Sequence, residues 1–306
     1  MKTIPDNFSF TEHSGTVARN LNGSISAPGE LGKTFCYLIL LICVPGLLGN
    51  GIVIRYLGFW LKRTSFTVYI LNLAVADIGS LIFLFLTGIF SMTTMNVHMA
   101  ITVCFIFTYC TGQFLLTIIS IDRCLALFFP IWHRCHQPPY LSTILCAITW
   151  IISILFCGVH YILSHSFTES LFQVLHVFIF SLVGILLMLI SSLALLIKGY
   201  LQSRMKRRRK LLTAILLALF FFLVLSVPTV VIYLMAFGFG KHHLNLLSYT
   251  YLCPCLNCSV NPLIYFALGR KKAHHSPYDL KTRLQTLFKE EEESTEHSGI
   301  SVSSQL

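Results

Sequence analysis

Residues 66–91 read FTVYILNLAVADIGSLIFLFLTGIFS, an almost unbroken apolar run that carries one charged side chain, Asp77. A helix needs roughly 20 mostly apolar residues to cross a bilayer core, because every backbone amide must find its partner inside the segment. This run meets that length, and six more do so at 34–60, 98–129, 140–163, 172–199, 210–239 and 244–268. The connections at 61–65, 92–97, 131–139, 164–171, 200–209 and 240–243 are short and polar. The sequence therefore predicts an all-α membrane protein, a seven-transmembrane-helix bundle forming one domain over 34–268. A polar tail, 1–33, precedes it, and 269–306 follow. No internal repeat is visible, so an inverted-repeat transporter has no support in the pattern.

Composition agrees. Of 306 residues, 55% are hydrophobic and 11% charged, whereas a soluble domain carries about twice that share of charge. Hydrocarbon is the solvent this chain expects. The net charge of +10 is distributed unevenly. Lys62, Arg63, Arg134, Arg204, Lys206 to Lys210 and Arg270 to Lys272 fall on one side of the predicted bundle, against Lys2, Arg19, Lys33 and Lys241 on the other. Cytoplasmic loops retain Lys and Arg, so the amino terminus is expected outside the cell and the carboxyl terminus inside. The basic run around Arg207 is lodged between two spans, where it meets anionic lipid and a cytosolic partner and not nucleic acid.

Residues 1–30 hold no apolar core of a cleavable signal, so the first helix is expected to target the chain. Asn7-Phe8-Ser9 and Asn22-Gly23-Ser24 are glycosylation sequons in that outer tail, while Asn257-Cys258-Ser259 lies within a span and is expected to stay unmodified. Ten of the eleven cysteines sit in the spans and are read as small apolar residues; Cys135 is cytoplasmic. No predicted outer loop holds a cysteine for a loop-to-helix disulfide, and Cys253-Pro254-Cys255 is too few ligands for a metal.

Polar groups inside spans cost several kcal/mol and need a reason to be there. Asp77 is the one acid deep in a helix, with Asn50, Asn72, Asn257 and Asn261 as candidate partners. Two readings stand side by side: a hydrogen-bonded network that glues the bundle, and an ion or proton site that responds to activation. Pro45, Pro228, Pro254 and Pro262 each remove a helix bond, and Pro228 and Pro262 are candidate hinges.

Asn72-Leu73-Ala74-Val75-Ala76-Asp77 in span two, Asp122-Arg123-Cys124 at the inner end of span three, Trp150 in span four and Asn261-Pro262-Leu263-Ile264-Tyr265 at the inner end of span seven together resemble the signature of rhodopsin-like G-protein-coupled receptors. Their joint order and depth carry the likeness. Phe129-Pro130-Ile131-Trp132-His133-Arg134-Cys135-His136-Gln137-Pro138 resembles the second inner loop of the Mas-related receptors, and Phe66-Thr67-Val68-Tyr69-Ile70 fits the same family. The likeness implies that Asp122 holds Arg123 at rest, and that Arg123 reaches toward a heterotrimeric G protein when span six swings outward. It also implies that Asn50, Asp77, Asn257 and Asn261 form a core polar network or sodium site, and that Tyr265 repositions on activation.

Four departures from the pattern bear on mechanism. Ser226 stands where an aromatic switch often precedes the span-six proline, and Arg208 stands where an acidic latch partner is expected. Leu186 occupies the place of a span-five proline, and Gly112 replaces a serine that would help bind sodium. For the ligand, Phe105 takes the depth of the amine-binding carboxylate, and no lysine lies between Lys241 and Arg270 to bind retinal. Phe105, Tyr109, His160, Glu169, Tyr233 and Tyr251 remain as a candidate pocket for an extracellular peptide or amphipathic small molecule. Glu169 is the one acid of the outer loops, and without a second acid a basic peptide is not favoured.

After Tyr265, Ser276-Pro277 can open a helix whose stripe of Leu280, Leu284, Leu287 and Phe288 would lie on the inner leaflet. Glu290 to Glu293 and the serines beyond form an acidic Ser/Thr tail that receptor kinases and arrestin would recognise. Two function classes are thus set against each other: a receptor without cofactor or covalent chemistry, and a channel or transporter. The second needs a polar path through several helices, and Asp77 is nearly alone.

Overall fold

The computed structural model describes residues 30–61, 63–90, 95–129, 131, 133, 138, 140–165, 170–201, 209–238 and 244–268. Among them are seven long helices and no strand: α1 (Glu30–Phe59), α2 (Ser65–Ile89), α3 (Met95–Phe128), α4 (Leu141–His165), α5 (Ser170–Leu201), α6 (Arg209–Gly238) and α7 (Leu244–Leu268). Each falls on a predicted span, with ends moved by a few residues. α1 starts at Glu30 because a helix can run past the hydrocarbon into water, where Glu30 and Lys33 end the apolar pattern but not the hydrogen bonding. α2 starts abruptly at Thr64, whose side chain accepts from the Thr67 amide while the Thr67 hydroxyl accepts from the Thr64 amide, a reciprocal cap.

Among the described residues, six helices are long and apolar enough to cross a membrane unaided. The seventh, α7, is less apolar because Asn257, Ser259, Asn261 and two prolines interrupt it, and all three polar side chains are buried. The outer surface of the bundle is the apolar one: Leu41 is 71% exposed, Ile190 66% and Leu155 64%. In water such a surface would drive aggregation, and in lipid it is the solvated face. α3 is the central helix, packed against α2, α4 and α5, while α7 lies between α6 and α1 and also touches α2.

Buried hydroxyls inside the helices return to their own backbone. Thr149 bonds Leu145 O at 2.7 Å, Thr111 bonds Phe107 O at 2.8 Å and Ser153 bonds Thr149 O at 2.9 Å, which satisfies each donor within its own helix. Glycines set the closest helix approaches. A Cβ on Gly49 of α1 would come 2.9 Å from Pro262 of α7, and one on Gly79 of α2 would come 2.7 Å from Thr108 of α3. Small residues at such crossings let backbones meet where the hydrophobic effect between helices is absent.

Candidate functional site

Two polar sites lie along the bundle axis, and one proline builds the first. Pro262 has no amide hydrogen, so the carbonyl of Cys258, one turn earlier, loses its helical donor. The Asn50 side chain of α1 replaces it, with Nδ2 donating to Cys258 O at 3.0 Å and to Gly46 O at 3.0 Å. Both hydrogens of the Asn50 amide are thus used. On the neighbouring face of α7, Asn261 Nδ2 donates to Asp77 Oδ2 at 2.8 Å, and the Cys258 thiol lies against the same carboxyl. Asp77 Oδ1 looks across to Gly112 of α3, where a Cβ would sit 3.5 Å away. Asn50, Asp77, Asn257 and Asn261 are all buried, at 1%, 4%, 3% and 3% exposure.

Of the expected polar core the structure joins two pairs of partners. Asn261 pairs with Asp77, and Asn50 caps the α7 backbone. Asn72 departs from its expected role: its Oδ1 accepts from Trp150 Nε1 at 3.1 Å, joining α2 to α4. The reason is angular. Five residues along a helix rotate about 140° at 3.6 residues per turn, so Asn72 and Asp77 point to different neighbours.

At the opposite pole of α3 lies the second site. Arg123 Nη2 and Nε reach Asp122 Oδ2 at 2.7 and 3.2 Å, the guanidinium carbon sits 4.6 Å from the Phe66 ring centroid, and His133 Nε2 lies 3.2 Å from Asp122 Oδ1. Asp122 is buried beneath this pair, its side chain 7% exposed and that of Arg123 12%. Pro262 and Tyr265 are buried in α7, and Tyr265 belongs to the large apolar cluster that also holds Phe66 and Tyr69. Pro228 lies inside α6. Neither Phe66 as a partner of Arg123 nor His133 as a partner of Asp122 is legible in the sequence, since aromatic stacking and a chain folding back leave no periodic trace.

At the other end, Phe105 stacks on Tyr109 at 5.5 Å and meets Tyr251 of α7 at 6.0 Å between ring centroids. Ser226 of α6 is buried against Tyr109, so the switch position is filled by a hydroxyl beside a tyrosine of α3. His160 is buried in α4. The side chains of Glu169 and Tyr233 lie outside the described residues, as do Asn7, Asn22, Arg208 and the whole of 269–306. A polar seam unread in the sequence joins α3 to α5: the Ser120 and Ser191 hydroxyls bond each other, and the Cys124 thiol donates to Ser191 O at 3.2 Å. Among the described residues every cysteine is a free thiol, and none of their His, Cys, Asp and Glu side chains gather into a metal site.

A seven-helix bundle with a buried carboxylate at mid-depth and an arginine–carboxylate pair at one end of its central helix defines a membrane receptor. The model of the 7 transmembrane receptor (rhodopsin family) matches residues 49–265. Over 295 residues the chain is 34% identical to proto-oncogene Mas of Homo sapiens, covering 92% of this chain and 91% of that one. It is 33% identical to Mas-related G-protein coupled receptor member D of Macaca fascicularis, with 92% and 93% covered, and 30% identical to member X1 of Mus musculus, with 87% of each covered. The chain belongs to the rhodopsin family of seven-helix receptors, in its Mas and Mas-related branch. It is a G-protein-coupled receptor and not an enzyme, and the channel or transporter reading falls.

Proposed function

We propose that the receptor stands in the plasma membrane with its amino terminus outside, senses an extracellular peptide or amphipathic small molecule, and passes the signal by releasing Arg123 from Asp122. The observation that carries this reading is the ion pair at the inner end of α3, where a 7% exposed carboxylate holds a 12% exposed arginine across one of its two oxygens. A charge-assisted bond of this kind is strong yet reversible, which suits a two-state latch. Outward movement of α6 about Pro228 would open the cytoplasmic face and let Arg123 reach the G protein, with Asn261, Pro262 and Tyr265 repacking in α7. The Phe105 ring, stacked on Tyr109 and tilted against Tyr251, gives an apolar floor for a ligand, and His160, Tyr233 and Glu169 are the further candidate contacts. Glycans on Asn7 and Asn22, an inner-leaflet helix after 276, and kinases and arrestin acting on the acidic Ser/Thr tail complete the proposal.

Replacing Arg123 tests it. Arg123→Ala is expected to abolish or strongly reduce G-protein dissociation in cells at matched surface expression. Full signalling by that variant, at equal surface density, would sink the latch.

A further inference from the structure

Tyr69, near the inner end of α2, is 0% exposed, and its phenolic oxygen has no hydrogen-bond partner among the described residues. A short hydroxyl can turn back to a carbonyl of its own helix, as Thr111 and Ser153 do, but a phenol is held away from its backbone by the ring. An unpaired buried donor is unfavourable, so this one calls for an explanation. Phe66 lies three residues earlier on the same helix face, and its ring centroid is 4.6 Å from the Arg123 guanidinium carbon. Asp122 and Arg123 of α3 and Cys146 of α4 are the ionisable groups whose charge reaches the Tyr69 oxygen. Arginine only donates and a thiol accepts weakly, which leaves the Asp122 carboxylate as the strong acceptor nearby.

That carboxylate is already occupied. Oδ2 takes both bonds from Arg123 and Oδ1 faces His133, while the side chain is 7% exposed. Release of Arg123 strips Oδ2 of its donors and leaves a buried negative charge without its cation, which opposes the release. We propose that Tyr69 is a positioning residue of the released state: its hydroxyl, unpaired while Arg123 is held, donates to Asp122 once the arginine has left. α2 then serves the two latch members in turn, the Phe66 ring holding the guanidinium before release and the Tyr69 phenol holding the carboxylate after it. The unpaired donor gains its acceptor at the step where the carboxylate loses its arginine, so the exchange favours the receptor form that admits a G protein. This role rests on the latch reading given above.

Tyr69→Phe removes the hydroxyl and keeps the ring, so it tests the bond without opening a cavity. With the receptor purified in lipid nanodiscs, two quantities are measured: its melting temperature alone, and its affinity for a nucleotide-free G-protein heterotrimer that the unaltered receptor binds. Because the hydroxyl has no partner at rest, the variant is expected to melt no lower than the unaltered receptor. Its affinity for the heterotrimer is expected to fall about tenfold, the effect of losing one hydrogen bond to a charged acceptor in the state that the heterotrimer selects. With Asp122→Ala in place, Tyr69→Phe should change that affinity by less than about twofold. Affinity equal to that of the unaltered receptor would show that the bared carboxylate turns to water or a proton instead. A lower melting temperature of the variant alone would show the hydroxyl already bonded at rest. Either result overturns the role of Tyr69, as does an undiminished loss of affinity with Asp122→Ala. Should Asp122→Ala yield no protein, the two measurements on Tyr69→Phe decide. Arg123→Ala in the same assay separates this role from the latch: lost affinity there with a silent Tyr69→Phe removes only the role of Tyr69, whereas full affinity of Arg123→Ala removes the latch and that role together.

Discussion

The carbonyl of Cys258 has lost its own helix donor to Pro262 and regained one from Asn50, and substitution can test each half of that exchange. Asn50→Ala leaves a buried carbonyl unpaired and is expected to cost about 1–3 kcal/mol, read as a lower melting temperature of the detergent-solubilised receptor. Pro262→Ala supplies the missing amide hydrogen, so Asn50→Ala should cost less in that background than alone; equal losses would show that the Asn50 bond to α7 contributes nothing. Asp77→Asn keeps the shape of the side chain and the contact with Asn261 but removes the charge. It is expected to leave expression largely intact while changing basal activity or its dependence on sodium against an inert cation. Identical behaviour of both forms would make Asp77 structural glue. That a carboxylate at this depth needs partners was legible in the sequence, because burial of a charge demands them. Which asparagine answers was not. The pairing of Asp77 with Asn261 joins residues from distant helices, and the loss of Asn72 to Trp150 is decided by helix rotation, which a list of polar residues ignores.

Between elements, the α1–α7 crossing depends on the absence of side chains. A Cβ on Gly46 would overlap Ser259, and one on Gly49 would press on the Pro262 ring. Gly49→Val is therefore expected to part the two helices at a cost of about 1–3 kcal/mol and to lower surface expression. Gly58→Ala, on the same helix with nothing within 4 Å of the added carbon, should be neutral or slightly stabilising. If the two behaved alike, helix propensity and not the crossing would be setting the stability. The seven elements were readable because lipid imposes a length and an apolarity on each of them, and α7, the least apolar, could still be placed by its length and its Asn261-Pro262 pair. Their neighbours were not readable. Helices solvated by hydrocarbon show only weak differences between their lipid-facing and inner stripes, so the polar seam of Ser120, Cys124 and Ser191 between α3 and α5 leaves no pattern to detect.

For the whole molecule, orientation is the first matter to settle. A tag placed before Lys2 is expected to stain in intact cells, and one placed after Leu306 only after permeabilisation; the reverse would overturn the reading of the basic loops. Assembly order is the second. Asn50 and Cys258 are 208 residues apart along the chain, so α1 must wait for α7 before its side-chain amide meets that carbonyl. At about 5–20 residues per second that wait lasts roughly 10–40 s. Throughout it the membrane holds a half-built ring with a polar amide and a set of narrow glycine surfaces facing lipid or chaperones. A message truncated ahead of α7 would prolong that condition indefinitely. The closing contact thus makes the arrival of α7 the moment at which the receptor first becomes distinguishable, to the cell's quality control, from a failed one.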